Sequence, residues 1–331
     1  MSSGITDKPA ASEQTPSRKT KQRKPTLAHR AEYYAMRATI GALRALPWEA
    51  ACRFGERLGM LGYKPLGIRK HVVEKQIAAA FPELNHTDVV ALARQSYAHL
   101  GRTFIETALL DSLGKDGLLE LVETVTGWEI VDEVMSRGKG AVMATGHIGN
   151  WELAGAYVAA RGIPLDAIAR GMANPLFDDY VNRARESSGM TVVHDSDAVR
   201  RTPRSLRAGR AVAFVADQGV LNLASTYVPF FGRPAKTPRG AAVFALRFDV
   251  PVIFVVALRQ PNGRFRIVVE RIEAKRTSNM DRDVDAIVAT FTEHLEKWVR
   301  LVPAQYFWQH RRWRRQPPDT PPELRDPSAQ P

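Results

Sequence analysis

The sequence predicts an α/β fold with a largely parallel sheet flanked by helices, preceded by an N-terminal helical annex. Two observations support this prediction. From Lys139 onward, short apolar runs rich in Val, Ile, Ala and Phe alternate with amphipathic stretches, which is the pattern of a parallel sheet with helices on its faces. Before Lys139, helical patterns follow one another and are interrupted at Pro47, at 64–67 and at Pro82, where proline and glycine end helices.

The annex is predicted to contain helices at 31–46, 48–61, 68–81 and 88–110. The first helix is amphipathic and places apolar side chains on one face, namely Tyr33, Met36, Ile40 and Leu43. Arginines recur every seven residues along the edge of that face, at Arg30, Arg37 and Arg44. Two interpretations stay open. The face either enters the headgroup region of a membrane, with the arginines reaching towards phosphates, or packs on the protein's own domain.

Beyond the annex, apolar runs predict strands at 141–145, 165–169, 191–193, 211–216 and 252–258, and an edge strand at 264–272. Amphipathic stretches predict helices at 151–161, 176–188, 198–208, 239–248 and 283–301. The predicted organisation is a disordered basic arm at 1–30, a helical, membrane-associating region at 31–125, an α/β domain at 126–315 and a disordered tail at 316–331. The tail is rich in proline, which cannot continue a helix.

Composition and charge restrict the partners. The net charge of +12 and the pI near 10 favour an anionic partner: nucleic acid, a membrane surface or a phosphorylated substrate. The chain contains no uncharged apolar run of about 18 residues, the length that spans a bilayer as a helix. Its first 25 residues are polar and lack the order of a signal peptide. The single cysteine, Cys52, suits a reducing compartment and a packing role.

The most informative segment is His147-Ile148-Gly149-Asn150-Trp151-Glu152, which lies between a predicted strand and a predicted helix. Such turns hold side chains at the carboxyl end of a strand, where ligands bind in α/β sheets. Asn150 is a favoured N-cap, so Trp151 would be the first helical residue. Glu152 could then turn back to the imidazole of His147.

In that arrangement Glu152 would hold one ring nitrogen of His147, and the other nitrogen would accept a proton from a substrate hydroxyl or amine. An alternative stays open. Glu152 would then only complement the helix dipole, and His147 would be a packed turn residue.

The segment resembles the His-x-x-x-x-Asp/Glu signature of lysophospholipid acyltransferases, in the form found in bacterial lipid A late acyltransferases. Further blocks resemble the same family in the same order and extend the resemblance over 31–313. These blocks are Asn174-Pro175-Leu176-Phe177-Asp178, Asn182-Arg183-Ala184-Arg185, Ala216-Asp217-Gln218-Gly219, Val228-Pro229-Phe230-Phe231-Gly232 and 303–312.

The resemblance implies transfer of a fatty acyl group from acyl carrier protein, or alternatively acyl-coenzyme A, to a hydroxyl of a lipid A precursor. It implies His147 as general base and Glu152 as its catalytic partner. Arg183 and Asp217 match the family's second functional pair and would bind substrate. Asn150 and Arg170 complete the predicted substrate-binding set, because Arg170 follows a predicted strand and could face the headgroup.

The expected partners are acyl carrier protein, a phosphorylated glycolipid acceptor and an anionic membrane surface, whereas nucleic acid is an unlikely partner. No metal and no bound cofactor are expected, because nucleotide-binding glycine motifs and His/Cys metal spacings are absent from the sequence. The expected location is the cytoplasmic face of the inner membrane, with peripheral or weak attachment. The basic cluster 310–315, with Trp313 inside it, suits a membrane interface. Acylation of another bacterial lipid, or a non-catalytic adaptor, remain the alternatives.

Overall fold

The computed structural model describes residues 24–219, 223–273 and 276–329. Its helices and strands up to the middle of the chain are α1 (Leu27–Arg44), α2 (Trp48–Tyr63), α3 (Lys70–Ala80), α4 (His86–Leu109), α5 (Gly114–Glu120), β1 (Val122–Thr126), α6 (Trp128–Ser136), β2 (Ala141–Thr145), α7 (Trp151–Ala160), β3 (Leu165–Ala169) and α8 (Pro175–Ser187). The remainder are β4 (Thr191–His194), α9 (Ala198–Arg207), β5 (Ala211–Val215), β6 (Ser225–Phe230), β7 (Arg233–Pro238), α10 (Gly240–Arg247), β8 (Val252–Arg259), β9 (Phe265–Ile272) and α11 (Met280–Leu301).

The described residues form a seven-stranded sheet in the order β1-β9-β8-β2-β5-β3-β4, and a separate β6-β7 hairpin. The strands from β8 to β4 run parallel to one another, and β9 pairs antiparallel with β8. Helices cover both faces, as the two large core clusters show. The predicted fold class, a largely parallel sheet flanked by helices with a helical annex before it, is confirmed.

The strand at 265–272 is not at an edge, contrary to the prediction. β9 lies between β8 and β1, and β1 forms one edge of the sheet in the described chain. The prediction missed β1 because three of its five residues are exposed, so it lacks the apolar run that marks a buried strand.

The neighbouring strands β2 and β5 position the candidate site. They pair in parallel from Ala141 opposite Ala211 to Thr145 opposite Val215. Both strands therefore end at the same level, and the residues that follow them emerge side by side at the carboxyl edge of the sheet.

The apolar face of α1 packs on the protein itself, as one of the two interpretations proposed. Ile40 and Leu43 are buried in a cluster with Ile105, Leu109 and Tyr180. The helix begins at Leu27, four residues before its predicted start, and Thr26 caps it by accepting a hydrogen bond from the His29 backbone amide. The rest of the predicted arm, 1–23, lies outside the described residues.

The helix α2 packs closely against α4 and leaves its other side exposed. A side chain at Gly59 would lie 2.0 Å from the carbonyl oxygen of Tyr97, so only glycine allows this approach of the two helices. On the outer side, Phe54, Leu58 and Leu61 are each more than 40% exposed. No helix among the described residues is long and apolar enough to cross a bilayer.

The predicted disordered tail is ordered over its described part, 316–329. Two short 3₁₀ turns, Pro322–Leu324 and Pro327–Ala329, lie in it. Asp326 is buried and pairs with Arg311 at 2.6 Å. The prediction relied on the inability of proline to continue a helix, but the segment packs through side chains and 3₁₀ turns, which proline permits.

Candidate active site

The turn between β2 and α7 has the predicted form. Asn150 is the N-cap of α7, and its side-chain oxygen accepts a hydrogen bond from the backbone amide of Leu153 at 3.0 Å. Gly149 has φ of +60°, and a Cβ there would lie 1.9 Å from the carbonyl oxygen of Ala257. Any larger residue would therefore push the turn away from β8.

The ring of His147 contacts Asp217, which follows β5, and its Nδ1 also lies 3.1 Å from Gln218 Nε2. The His147 Nδ1 lies 2.6 Å from Asp217 Oδ1, and the His147 backbone amide donates to Asp217 Oδ2 at 3.1 Å. One carboxylate thus holds both the ring and the backbone of His147. Within the described part of the chain, the second ring nitrogen, Nε2, has no hydrogen-bond partner, so it is available to a ligand.

The electrostatics keep Asp217 ionised. The residue is 1% exposed, and burial alone would raise the pKa of its carboxyl. The interaction with His147 and the charge of Arg312 outweigh burial and lower that pKa to about 2. An ionised Asp217 accepts a hydrogen bond from the Nδ1–H of His147, which favours the tautomer in which Nε2 carries the lone pair.

Glu152 does not bind the His147 ring, which corrects the predicted contact. Its carboxylate forms a bidentate ion pair with Arg185, with Nε–Oε2 at 2.8 Å and Nη2–Oε1 at 2.6 Å. Glu152 is the second residue of α7, and its side chain turns towards α8 rather than back over the turn. The indole of Trp151 also donates to it at 3.2 Å.

The segment after α11 closes the other side of the histidine. The His147 ring contacts the Trp151 and Phe307 rings, with centroids 4.8 and 5.8 Å apart. The Phe307 backbone amide donates to the His147 carbonyl at 2.9 Å. Tyr306 is buried, and its pKa is raised by burial and by the neighbouring Asp217. Aromatic side chains therefore restrict the ring of His147 to one orientation.

The remaining predicted substrate-binding residues have no side-chain contact with His147 in the described chain. Asn150 is fully buried, and its amide donates to Glu106 at 3.0 Å, so its side chain supports the turn. Arg183 is exposed on α8; Arg185, two residues further, is the arginine that reaches Glu152. Arg170 is also exposed and lies 4.0 Å from Asp195.

A buried charge network contacts the turn between β2 and α7. Glu106, which is 0% exposed, pairs with two arginines, Arg102 and Arg259. Arg259 also contacts the ring of His99, whose other nitrogen lies 3.2 Å from the Gly149 carbonyl. The sequence prediction missed this network, because its members come from α4 and β8, far apart in the chain, and only the helical spacing of Arg102 and Glu106 marked a possible pair.

An apolar pocket opens beside the site, between α7 and the sheet. It covers about 570 Å³, part of which is open to solvent, and is lined mainly by apolar side chains of β2, β3, β5 and α7. Trp151 and the Glu152–Arg185 ion pair also line it. Because Trp151 contacts the His147 ring, the pocket lies next to the histidine. A histidine with a free nitrogen beside an apolar pocket is the arrangement expected of an enzyme that acts on a fatty chain.

Comparison with known proteins places the chain in one family. The sequence profile of bacterial lipid A biosynthesis acyltransferases matches residues 20–315, so the chain belongs to that family and the protein is an acyltransferase. It is 23% identical over 278 residues to the lipid A biosynthesis lauroyltransferase of Escherichia coli strain K12, covering 83% of this chain and 89% of the relative.

Two further relatives differ in their named substrates. The lipid A biosynthesis palmitoleoyltransferase of Escherichia coli strain K12 is 23% identical over 82% of this chain and 87% of its own length. The phosphatidylinositol mannoside acyltransferase of Mycobacterium tuberculosis strain H37Rv is 27% identical over 62% of this chain and 66% of its own length. The family predicted from the sequence motifs is confirmed.

Proposed function

We propose that the protein transfers a fatty acyl chain from acyl carrier protein to a hydroxyl of a lipid A precursor at the cytoplasmic face of the inner membrane. His147 is the general base and Asp217 orients it. The observation that supports this role most directly is the 2.6 Å contact between His147 Nδ1 and Asp217 Oδ1, which leaves Nε2 unpartnered in the described structure. Glu152 acts through its ion pair with Arg185 at the pocket wall.

The reaction needs no covalent step on the protein. A thioester is already activated, so a base that takes the proton of the acceptor hydroxyl lets its oxygen attack the thioester carbonyl. The new C–O bond replaces the C–S bond, and the base returns the proton to the leaving sulfur, which departs as a thiol. Cys52 is buried in α2, and burial raises the pKa of its thiol to about 12. A thiol in that state is a poor nucleophile, which agrees with direct transfer.

The experiment is an acyl-transfer assay with purified protein, labelled acyl carrier protein thioesters and a lipid A precursor, read by mass spectrometry. Acyl-coenzyme A serves as the second donor. A phosphatidylinositol mannoside serves as the second acceptor, because a relative is named as an acyltransferase for that lipid. Transfer to the lipid A precursor is expected. Transfer to the mannoside alone would move the protein to the other substrate class, and absence of any transfer would contradict the proposal.

We place the donor acyl chain in the apolar pocket beside Trp151. Ala167 and Ala213 are opposite each other on β3 and β5 and both line the pocket. Ala213→Leu fills part of this space, so transfer of long chains should fall about tenfold relative to shorter ones, the effect of one or two methylenes in an apolar pocket. Competition between thioesters of different length measures the ratio. An unchanged ratio in a stably folded variant would place the chain elsewhere.

We propose that α2 attaches the protein to the membrane. Phe54, Leu58 and Leu61 follow one another at helical spacing on its exposed side. Their basic neighbours Arg53 and Arg57 are also exposed. An exposed apolar row with adjacent cations is suited to an anionic lipid surface.

Replacement of Phe54, Leu58 and Leu61 by Ser should weaken binding to phosphatidylglycerol-containing vesicles at least about tenfold, because the apolar area that enters the lipid is lost. Sedimentation with vesicles measures it. The matched control is a second triple Ser variant, at three exposed apolar residues outside α2: Val199, Met280 and Leu301. It should bind vesicles as the wild type does. Equal binding by both triple variants would exclude α2 as the membrane contact.

A further inference from the structure

A second pocket, of opposite character, lies near the active site. It covers about 640 Å³, part of which is open to solvent, between β7, the start of α3 and the segment after α11. We call it the basic pocket, because basic side chains form most of its lining. Six of them define it: Arg69, Lys236, His310, Arg312, Arg314 and Arg315. It also contains Arg311, which is ion-paired with Asp326.

Most cations of the basic pocket have no ion-pair partner in the described chain. In the described chain none of its other arginines, and not Lys236, forms an ion pair with a carboxylate. Backbone carbonyls hold several guanidinium groups instead: Arg312 donates to the Lys236 carbonyl at 2.7 Å and Arg315 to the Gly219 carbonyl at 2.9 Å. The cations are therefore positioned while their charge remains available to a ligand.

Two side chains that line the basic pocket each carry a buried nitrogen atom without a hydrogen-bond partner in the described chain. Arg312 is 3% exposed, and its Nε has no hydrogen bond within the described structure. The buried His310 Nδ1 is also unpartnered there. Burial, together with the charge of Arg312, lowers the pKa of His310 to about 4. A buried unpartnered donor on a charged group is costly in free energy, so the protein supplies too few acceptors at this wall of the basic pocket.

The basic pocket adjoins the catalytic pair. Gly219, part of its wall, follows Asp217 by two residues, and the charge of Arg312 acts on Asp217. We infer that the basic pocket binds a phosphate monoester of the acceptor lipid and thereby holds that lipid beside His147. The inference deepens the proposed function and rests on it.

A phosphate monoester suits the basic pocket better than a singly charged group. Phosphate monoesters carry about −1.5 to −2 charges at neutral pH and offer three acceptor oxygens. Arginine forks bind such oxygens in pairs. The phosphodiester of a phosphopantetheine donor carries a single charge, so it would leave most of the positive charge unneutralised. It is nevertheless the other source of a phosphate in this reaction, and the experiment separates the two.

The test uses the double variant Lys236→Gln, Arg314→Gln, whose side chains form no hydrogen bond in the described structure, so the fold should be retained. The control variant Arg204→Gln, Arg282→Gln removes the same charge from two exposed positions outside the basic pocket. KM is measured separately for acyl carrier protein thioester, for the phosphorylated lipid A precursor and for the same lipid after phosphatase treatment. Direct binding of both lipids to each protein is measured alongside.

The basic-pocket variant should raise KM for the phosphorylated precursor about tenfold or more, since two charge-assisted contacts are lost. Its KM for the thioester and for the phosphatase-treated lipid should equal that of the control. A raised KM for the thioester alone would assign the pocket to the donor and overturn the inference, as would an unchanged KM for all three.

Binding separates this inference from the proposed function. If the wild type transfers no acyl group but binds the phosphorylated lipid better than the dephosphorylated one, and the basic-pocket variant loses that preference, the pocket assignment holds although the proposed reaction fails. If neither lipid is preferred by the wild type, the pocket assignment is wrong.

Discussion

Replacement of His147 by Ala is expected to lower the rate of acyl transfer by a factor of about 100 to 10,000, the usual contribution of a general base. In the proposed mechanism the free Nε2 of the imidazole takes the hydroxyl proton of the acceptor lipid, and Asp217 and the Trp151 and Phe307 rings hold the imidazole in place. Lipid binding should persist, because the apolar pocket is lined without it. Single-turnover transfer and lipid binding are the measurements.

The matched control for His147→Ala is His294→Ala. His294 is also a histidine paired with a carboxylate, Glu270 Oε2 at 2.5 Å, but it lies on α11 outside the apolar pocket and the basic pocket. Its replacement should leave the rate within about threefold of the wild type, because His294 lines neither pocket and has no contact with His147 in the described chain. Full transfer by a folded His147→Ala protein would show that the base is another group.

Replacement of Glu106 by Ala is expected to destabilise the fold by about 3 to 5 kcal/mol, the cost of removing one partner from a buried ion pair. Glu106 is fully buried and accepts from Arg102 at 2.9 Å and from the Asn150 amide at 3.0 Å, besides its ion pair with Arg259. Without it, Arg259 loses its only carboxylate partner among the described residues. Urea unfolding measures the free energy.

The control for Glu106→Ala is Glu133→Ala. Glu133 also pairs with two arginines, Arg137 and Arg271, but its side chain is 50% exposed. Water screens such pairs, so the loss should stay below about 1 kcal/mol. Equal destabilisation by the two substitutions would contradict the view that burial makes the Glu106 network important.

The fold was predictable where the pattern was local. β2 and β3 begin and end where the apolar runs predict, and Asn150 caps α7 as its residue type and position indicate. The order of the strands was not predictable, because it depends on which strands meet after the chain has folded. The edge position expected for β9 failed for this reason: its outer neighbour, β1, carries no local apolar pattern.

In the candidate site, too, the local features were predictable and the contacts between distant segments were not. His147 was identified from its position after a strand, but its partner was expected within the same segment, at Glu152. Asp217 lies 70 residues away and reaches His147 because β2 and β5 are neighbours that end at the same level. Nearness in sequence favoured Glu152, whereas the sheet brings Asp217 to the ring.

The buried faces also depend on tertiary structure. The face of α1 with Ile40 and Leu43 could have met lipid or protein, and only the cluster with Tyr180 decides between them. Trp313, expected at a membrane interface, is 0% exposed, and its indole donates to the Phe230 carbonyl at 3.2 Å. A tryptophan among arginines gives the same sequence pattern at a membrane interface and in a protein interior.

The central claim is that Asp217 orients the catalytic histidine. The most direct measurement compares the single-turnover rate of acyl transfer in Asp217→Asn and in Glu152→Gln over a range of pH. We expect Asp217→Asn to lose at least about 100-fold in rate at every pH, since the amide cannot fix the Nδ1–H tautomer. Glu152→Gln should keep the shape of the pH profile, because its carboxylate pairs with Arg185. A wild-type rate in Asp217→Asn, together with loss of transfer in Glu152→Gln, would contradict the account and return the catalytic pair to His147 and Glu152.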